Sequence, residues 1–191
     1  PASSETWSIQ SRMTGARTLQ PNSITVEGGG DVERQWDYMN GWGDWTVNTT
    51  THYAWNWKRA KSYFDVVCYS GNTTAGRTVA HSLSVIPEMI WFKSRNNAYN
   101  WYVYHKDTGI DKRLVLDGND GTETGYGTLV FNNTQPSSSV ITLGSWGVIN
   151  GSGNNNIAYL FATLAGISKV GSYTGNGSSQ TISCGFSAGS R

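Results

Sequence analysis

The stretch Phe64–Asn72, which reads FDVVCYSGN, decides the fold class of this chain. Its first six residues combine aromatic and β-branched side chains, which suit a pleated, half-buried surface. Its last three residues are Ser, Gly and Asn, which favour a tight turn because Gly and Asn tolerate positive φ. The stretch Trp101–His105, which reads WYVYH and is soon followed by the turn Asp107–Gly109, has the same form. Both patterns predict short strands joined by tight turns.

Runs of this kind recur along the whole chain. Tyr53–Lys61 is also predicted as a strand, because aromatic residues alternate there with small or polar ones. Many short strands separated by turns are typical of an antiparallel sandwich or barrel, so we expect an all-β fold. The other predicted strands are Ser23–Val26, Phe64–Tyr69, Met89–Lys93, Trp101–His105, Arg113–Leu116, Leu129–Asn132, Val140–Leu143, Ile157–Phe161 and Thr181–Phe186.

An internal repeat divides the chain into two units. A shift of 104 residues makes seven positions identical between residues 42 and 72 and their counterparts: Trp42/Trp146, Gly43/Gly147, Ala54/Ala158, Val66/Val170, Tyr69/Tyr173, Gly71/Gly175 and Asn72/Asn176. A shift of 94 residues aligns Trp7 with Trp101 and Thr14-Gly15 with Thr108-Gly109. The units are therefore predicted at residues 7–100 and 101–191. We favour one jelly-roll-like sandwich built from both units, with two small sandwiches as the alternative.

Aromatic rings shared by the two units are predicted to form the core, because repetition of bulky rings is typical of buried positions. The pairs are Trp42/Trp146, Trp55/Tyr159, Trp57/Phe161, Tyr69/Tyr173 and Trp7/Trp101. Aromatic residues present in one unit only are better candidates for surface binding. These are Trp36, Trp45, Tyr99 and Tyr126. Contact with a glycan and contact with a protein remain equally open for these four residues.

Charge and hydropathy exclude several classes of function. The 191 residues include 14 Lys and Arg against 13 Asp and Glu, a net charge of +1, without the basic cluster that nucleic-acid binding needs. No apolar run approaches the roughly 20 residues of a membrane-spanning helix, so we expect no membrane insertion. No signal peptide is visible. For Cys68 and Cys184, two buried thiols are favoured over a single bridge.

Several segments, in order along the chain, resemble a repeat found in bacteriophage tail-fibre-like and other virion proteins. The resemblance implies a concanavalin-like or laminin-G-like β-sandwich and a place on the exterior of a phage particle, but no biochemical activity. Residues 20–41 and 117–127 depart most from the repeat. The segments that carry the resemblance are Thr51–Lys58, Phe64–Asn72, His81–Ile90, Trp101–Lys106, Leu143–Ala162 and Ser168–Asn176.

Patterns that indicate catalysis are weak. Asp107 and Asp111 could form a carboxylate pair, but turn-capping is the commoner role of such residues, and sequence cannot supply the separation that a glycosidase requires. His52, His81 and His105 lie far apart and are expected to be structural. No nucleophile elbow and no phosphate-binding loop is present. The loop of residues 117–127, which we interpret as an insertion in the second unit, offers a calcium site that departs from the EF-hand spacing. Its candidate ligands are Asp117, Asn119, Asp120 and Glu123.

These observations predict a non-enzymatic virion structural protein without a cofactor, calcium excepted. We expect a tail-fibre or exterior appendage component that acts in assembly and in adhesion to host-surface glycans through multivalency. Its expected partners are other virion proteins, further copies of the chain in a homo-oligomer, and host polysaccharide. A capsid decoration or cement protein is one alternative. A polysaccharide-degrading enzyme on the same sandwich is the other.

Overall fold

The stretch that decides the fold class forms the first long strand of a computed structural model. The model describes residues 7–29, 54–119 and 121–186, together with the backbone of Arg34–Gln35 and Gly43–Asp44. The strands in these residues are β1 Arg34–Gln35, β2 Gly43–Asp44, β3 Phe64–Ser70, β4 Arg77–Ala80, β5 Met89–Ser94, β6 Tyr102–His105, β7 Leu114–Val115, β8 Val140–Leu143 and β9 Asn155–Phe161. Two short helices are α1 Gly127–Phe131 and α2 Gly147–Asn150.

The strands form antiparallel sheets, so the prediction of an all-β fold is confirmed. A five-stranded sheet has the order β3-β9-β5-β6-β7, and β4 pairs with β8 in a second sheet. Phe64 lies opposite Phe161, and Ser70 lies opposite Asn155. Strands from both sides of residue 100 therefore share the five-stranded sheet.

Strict alternation along β9 gives the five-stranded sheet two buried faces. Ala158 and Leu160 face a core that includes the β4–β8 pair and α1. Ile157 and Tyr159 point the other way, into a smaller core with Trp101 and Leu19. Because side chains of a strand alternate with period two, one strand can serve both cores. The segment that contains Leu19 crosses the second face and joins its chain neighbours through the bridges Ile9–Leu19 and Thr18–Gly28.

Several predicted strands are wrong. Leu129–Asn132 lies mostly in α1, which ends at Phe131 and has Asn132, with a φ of 52°, as its C-cap. Ser23–Val26, Thr181–Phe186 and the described part of Tyr53–Lys61 have no strand, apart from an isolated bridge at Ala60. Among the described residues, Ser23–Val26 and Thr181–Phe186 have no neighbouring strand with which their backbones could pair.

The prediction that shared aromatic rings form the core is also wrong for one member of each pair that can be compared. Trp101, Tyr159 and Tyr69 are buried, whereas their counterparts Trp7, Trp55 and Tyr173 are exposed. Trp57 is exposed, and its counterpart Phe161 is half-buried. Trp42 lies outside the described residues. Repetition of a ring therefore does not guarantee burial, because each copy needs its own covering layer.

The prediction of two buried thiols is wrong for one of them. Cys68 is half-buried on β3 and Cys184 is exposed, and both are free. In the described part of the chain, no helix is long and apolar enough to cross a membrane.

Candidate functional site

Three tryptophans, Trp7, Trp55 and Trp57, expose their rings and are called here the tryptophan patch. Their exposed fractions are 57%, 61% and 54%. The rings of Trp7 and Trp55 stack with centroids 5.4 Å apart and planes within 16° of parallel. Trp57 lies two residues further along the same extended segment and contacts Phe64 of β3, with ring centroids 6.5 Å apart. Exposed aromatic rings of this size are suited to binding a partner surface.

A tight turn and an ion pair between exposed Arg59 and buried Asp65 attach the tryptophan patch to the five-stranded sheet. The backbones of Ala60 and Phe64 exchange two hydrogen bonds of 3.0 and 3.2 Å. Ser62 takes a φ of 63° inside that turn. The Arg59 Nε donates to the Asp65 Oδ1 over 2.6 Å, and the Asp65 carboxylate is buried. The patch is therefore fixed at its C-terminal end next to β3.

A shallow cavity of about 260 Å³ lies beside this ion pair. It is lined in part by Met13, Arg59, Cys68, His81 and Ser82. The volume falls just below the range of about 300–1,000 Å³ that is usual for small-molecule pockets. It resembles a surface depression more than an enclosed site.

The titratable side chains at this cavity have structural partners. The His81 Nδ1 accepts a hydrogen bond from the Leu83 backbone, and its Nε2 lies 3.2 Å from the Ser137 carbonyl oxygen. Burial lowers the pKa of His81, which favours the neutral ring. Burial also raises the pKa of the Cys68 thiol, against the opposing charge of Arg95. Cys68 is therefore a protonated thiol at neutral pH rather than a thiolate nucleophile.

Tyr99, a candidate binding residue, lies in the connection between β5 and β6. Its side chain is 36% exposed. Its carbonyl oxygen accepts a hydrogen bond of 2.5 Å from the Lys93 ammonium, which also donates to the Ile24 carbonyl over 2.9 Å. The Lys93 contact fixes the Tyr99 backbone and leaves the ring partly free for a ligand.

Tyr126, a second candidate, is part of an aromatic enclosure around Arg113. The Arg113 guanidinium carbon lies 4.5 Å from the centroid of the Tyr102 ring. The corresponding distances are 3.7 Å for Tyr126 and 4.4 Å for Trp146. Arg113 also pairs with the Glu123 carboxylate. The face of the Tyr126 ring is therefore already occupied by a cation of the chain itself.

Of the calcium candidates, two carboxylates are engaged by other groups. Asp117 Oδ1 accepts a hydrogen bond of 2.9 Å from the Trp101 backbone, and Glu123 pairs with Arg113. Asn119 is exposed, and Asp120 lies outside the described residues. Among the residues that the structure describes, no group of three or more His, Cys, Asp or Glu is placed to hold a metal ion.

The remaining candidates are not brought together. Trp36 and Trp45 lie outside the described residues, as does His52. Asp107 accepts a hydrogen bond of 2.8 Å from the Ser172 hydroxyl, whereas Asp111 accepts from the Gly125 and Gly127 backbones. Both carboxylates therefore fix loops.

The sequence interpretation missed the tryptophan patch and Arg113. The patch was assigned to the core through its repeat pairs, although Trp55 and Trp57 stand in the polar, basic stretch WNWKRAK. That surrounding could have indicated an exposed face. Arg113 gave no such signal, because the rings that enclose it come from residues 102, 126 and 146.

Comparison with known proteins gives one match. No curated protein and no solved structure matches the chain significantly. A family model described as "Domain of unknown function (DUF7483)" matches residues 8–188. Because the match covers far more than half of the 191 residues, the chain belongs to the DUF7483 family.

Proposed function

We propose that this chain is a non-enzymatic structural protein of a bacteriophage virion, in a tail fibre or another exterior appendage. Its work is assembly with neighbouring subunits and adhesion to glycans on the host surface. The sandwich is of the jelly-roll type and is built from two sequence repeats. The resemblance to virion repeats supports this origin, and the antiparallel all-β fold is compatible with it.

The tryptophan patch is the observation on which the proposal rests. Trp7 and Trp55 each expose more than half of their surface while they stack on each other. A stable soluble domain gains nothing from leaving such rings in water, since each buries a large apolar area when it is covered. Trp and Tyr are also the residues most enriched at protein contacts. The patch is therefore best explained as a contact surface.

The engagement of the carboxylates supports a structural role over catalysis. Asp65 accepts hydrogen bonds from the backbones of Val66 and Ser82 as well as from Arg59. Glu88 accepts from Lys106 and from the Thr163 backbone and hydroxyl. These carboxylates hold strands and loops in place, and their lone pairs are directed to partners inside the chain.

Location in the particle tests the proposal. Purified particles of the phage that encodes the chain should contain it by mass spectrometry, and gold-labelled antibody should decorate a tail fibre or appendage. Label on the capsid surface would instead support the decoration-protein alternative. Absence from purified particles would overturn the proposal.

Glycan adhesion and catalysis are tested separately on purified protein. Displayed at high density on beads, the chain should bind at least one host surface polysaccharide, and Tyr99→Ala should weaken that binding. Failure to bind any host polysaccharide would remove adhesion and leave assembly. New reducing ends in host polysaccharide, lost in Asp107→Ala or Glu123→Ala, would show that the protein is an enzyme.

A further inference from the structure

Backbone turns recur at the spacing of the sequence repeat. Ala60 and Phe64 form an isolated antiparallel bridge, and so do Leu164 and Ser168, 104 residues later. Ser62 has a φ of 63°, and its counterpart Gly166 has a φ of 76°. The turn conformation that precedes β3 therefore recurs in the segment that follows β9.

A second turn recurs at the same shift, and a third recurs at the other shift. Asn72 Oδ1 accepts from the Thr74 backbone, and Asn176 Oδ1 accepts from the Ser178 backbone. At the shift of 94, the Thr14 hydroxyl donates to the Ser11 carbonyl oxygen. In the same way, the Thr108 hydroxyl donates to the His105 carbonyl oxygen. Equivalent turn hydrogen bonds thus occur at positions that the sequence repeat aligns, which supports that alignment.

The alignment assigns strand counterparts to two segments that have no strand partner among the described residues. The head segment, Ala54–Trp57, corresponds to residues 158–161 of β9. The tail segment, residues 170–186, begins with the counterpart of residues 66–72, which include most of β3. Within the five-stranded sheet, β3 of the first unit and β9 of the second unit are direct neighbours. Among the residues that the structure describes, the head segment takes part in no strand pairing, and neither does the tail segment.

Apolar side chains of both segments, apart from buried Val170, are exposed where their counterparts are covered. Tyr173 is 69% exposed, whereas Tyr69 is 9% exposed. At a shift of 103, which aligns Thr181-Ile182 with Thr78-Val79, Ile182 and Phe186 correspond to buried Val79 and Leu83. Trp55 is exposed and Tyr159 is buried. The two segments thus have core-type side chains but no partner strands within the part of the chain that the structure describes.

Contacts within one copy hold the two segments apart. The head segment is attached to β3 through Arg59 and Asp65. The tail segment is attached to the turn after β6, because the Ser172 hydroxyl donates to Asp107. β9 and β5 lie between β3 and β6, so about 14 Å of sheet separates the two attachments at a strand spacing of roughly 4.8 Å. Strand pairing requires about 5 Å, so a second copy is the better partner.

We propose that the tail segment of one copy pairs antiparallel with the head segment of another copy, as β3 pairs with β9. This inference deepens the assembly role in the proposed function and rests on it. Because Val67 lies opposite Ala158, the register places Gly171 opposite Ala54 of the second copy. Such addition of a strand in trans is a common mode of protein recognition. The contact joins different surfaces, so it extends copies head to tail.

Disulfide trapping between two variants tests the register. One protein has Ala54→Cys and the other has Gly171→Cys, both with Cys184→Ser to remove the exposed native thiol. A Cβ at position 171 would meet only the Lys169 side chain, at 4.0 Å. Mild oxidation of the mixture should give a covalent dimer that neither variant gives alone, since opposed strand residues lie within disulfide distance. The control is a mixture of Asn56→Cys and Gly171→Cys, whose cysteines are two residues out of the proposed register. This mixture should give at least tenfold less covalent dimer.

Two outcomes would overturn the proposal. One is the absence of a trapped dimer in the mixture at 100 µM protein. The other is a bond within a single chain when Ala54→Cys and Gly171→Cys are combined, which would show that the two segments of one copy pair with each other.

Light scattering on the full chain provides the second measurement. The mass should rise with concentration, and Trp55→Glu or Tyr173→Glu should weaken self-association at least tenfold. Ile86→Glu is the matched control, because Ile86 is 58% exposed but lies outside both segments. A monomer at all concentrations would overturn the proposal. Detection of the chain on virions would still support the proposed function, so the two failures are distinguishable.

Discussion

Two buried charges show how single residues fix this fold. Asp65 is 2% exposed and Lys93 is 1% exposed. A buried charge is costly unless hydrogen bonds replace its lost hydration. Asp65 gains two backbone donors and Arg59. Among the described residues, Lys93 gains only the carbonyl oxygens of Ile24 and Tyr99. Lys93 is therefore the less compensated of the two, and its ionisation should influence stability.

We expect the contribution of Lys93 to the free energy of unfolding to rise between pH 8 and about pH 10. Burial lowers the pKa of Lys93 to about 8, partly opposed by the negative charge of Asp117. In this window the unfolded chain holds the Lys93 proton and the folded chain releases it, so higher pH favours folding. The gain should be about 1–3 kcal/mol. Urea unfolding at a series of pH values measures it.

The Lys93 contribution is isolated by comparing Lys93→Met with the parent protein. The difference in unfolding free energy between the two should change with pH across the window and level off below pH 8. Lys61→Met controls for the loss of an exposed lysine. A constant difference between Lys93→Met and the parent protein from pH 8 to pH 10 would contradict the expected ionisation.

At the scale of elements, the contact between β8 and α1 depends on the absence of a side chain. Gly144 follows β8, and its N–H donates to the Val130 carbonyl over 2.8 Å. A Cβ at this position would lie 2.1 Å from the Leu129 carbonyl oxygen and 2.3 Å from that of Thr128. Both are backbone atoms of the helix, so a rotamer change cannot relieve the overlap.

Gly144→Ala should therefore lower the free energy of unfolding by at least about 2 kcal/mol, because β8 and α1 must move apart. Gly147→Ala is the matched control, since a Cβ there has no atom within 4 Å and alanine favours the helix α2. Chemical unfolding of both variants measures the difference. Equal stabilities would show that the helix can shift without cost.

The same scale explains what could be predicted from the sequence. β3, β5 and β9 were predictable because alternation there is long and rich in aromatic and β-branched residues. Leu129–Asn132 was not, because so short an apolar run does not distinguish a strand from a helix turn. β4, Arg77–Ala80, buries only Val79, so its sequence shows no alternation of apolar and polar residues. In the tail segment, the strand predicted at Thr181–Phe186 is wrong, because the described residues provide no neighbouring strand.

The candidate site was less predictable than the fold. Trp55 is exposed and Tyr159 is buried, although the two residues align. The difference arises because burial depends on the layer that covers each ring. Tyr126 was a candidate because of its turn-rich surroundings, but its ring faces Arg113, and the other enclosing rings come from residues 102 and 146. Such assignments depend on contacts that sequence spacing does not contain.

At the scale of the whole molecule, the five-stranded sheet needs covers on both faces. One face packs on the β4–β8 pair and the helices. The other is covered by the segment of residues 9–28, where Leu19 packs near Trp101. The Trp101 Nε1 donates to the Gln20 carbonyl over 2.8 Å, and the Trp101 backbone donates to Asp117. Trp101 thus joins the N-terminal segment, the sheet and the inserted loop.

Trp101→Ala should therefore remove the second core while the first core persists. We expect a loss of about 3–5 kcal/mol in the free energy of unfolding, the usual cost of deleting a buried tryptophan. Amide exchange at Ile9, Thr18 and Leu19 should accelerate, because the bridges Ile9–Leu19 and Thr18–Gly28 lose their support, while exchange in β4 and β8 follows only the global loss. Trp7→Ala is the matched control, since Trp7 aligns with Trp101 yet is 57% exposed. This substitution should lower the free energy of unfolding by less than about 1 kcal/mol, the contribution of the stacking on Trp55. A cost for Trp7→Ala equal to that for Trp101→Ala would show that the tryptophan patch is a third core rather than a contact surface.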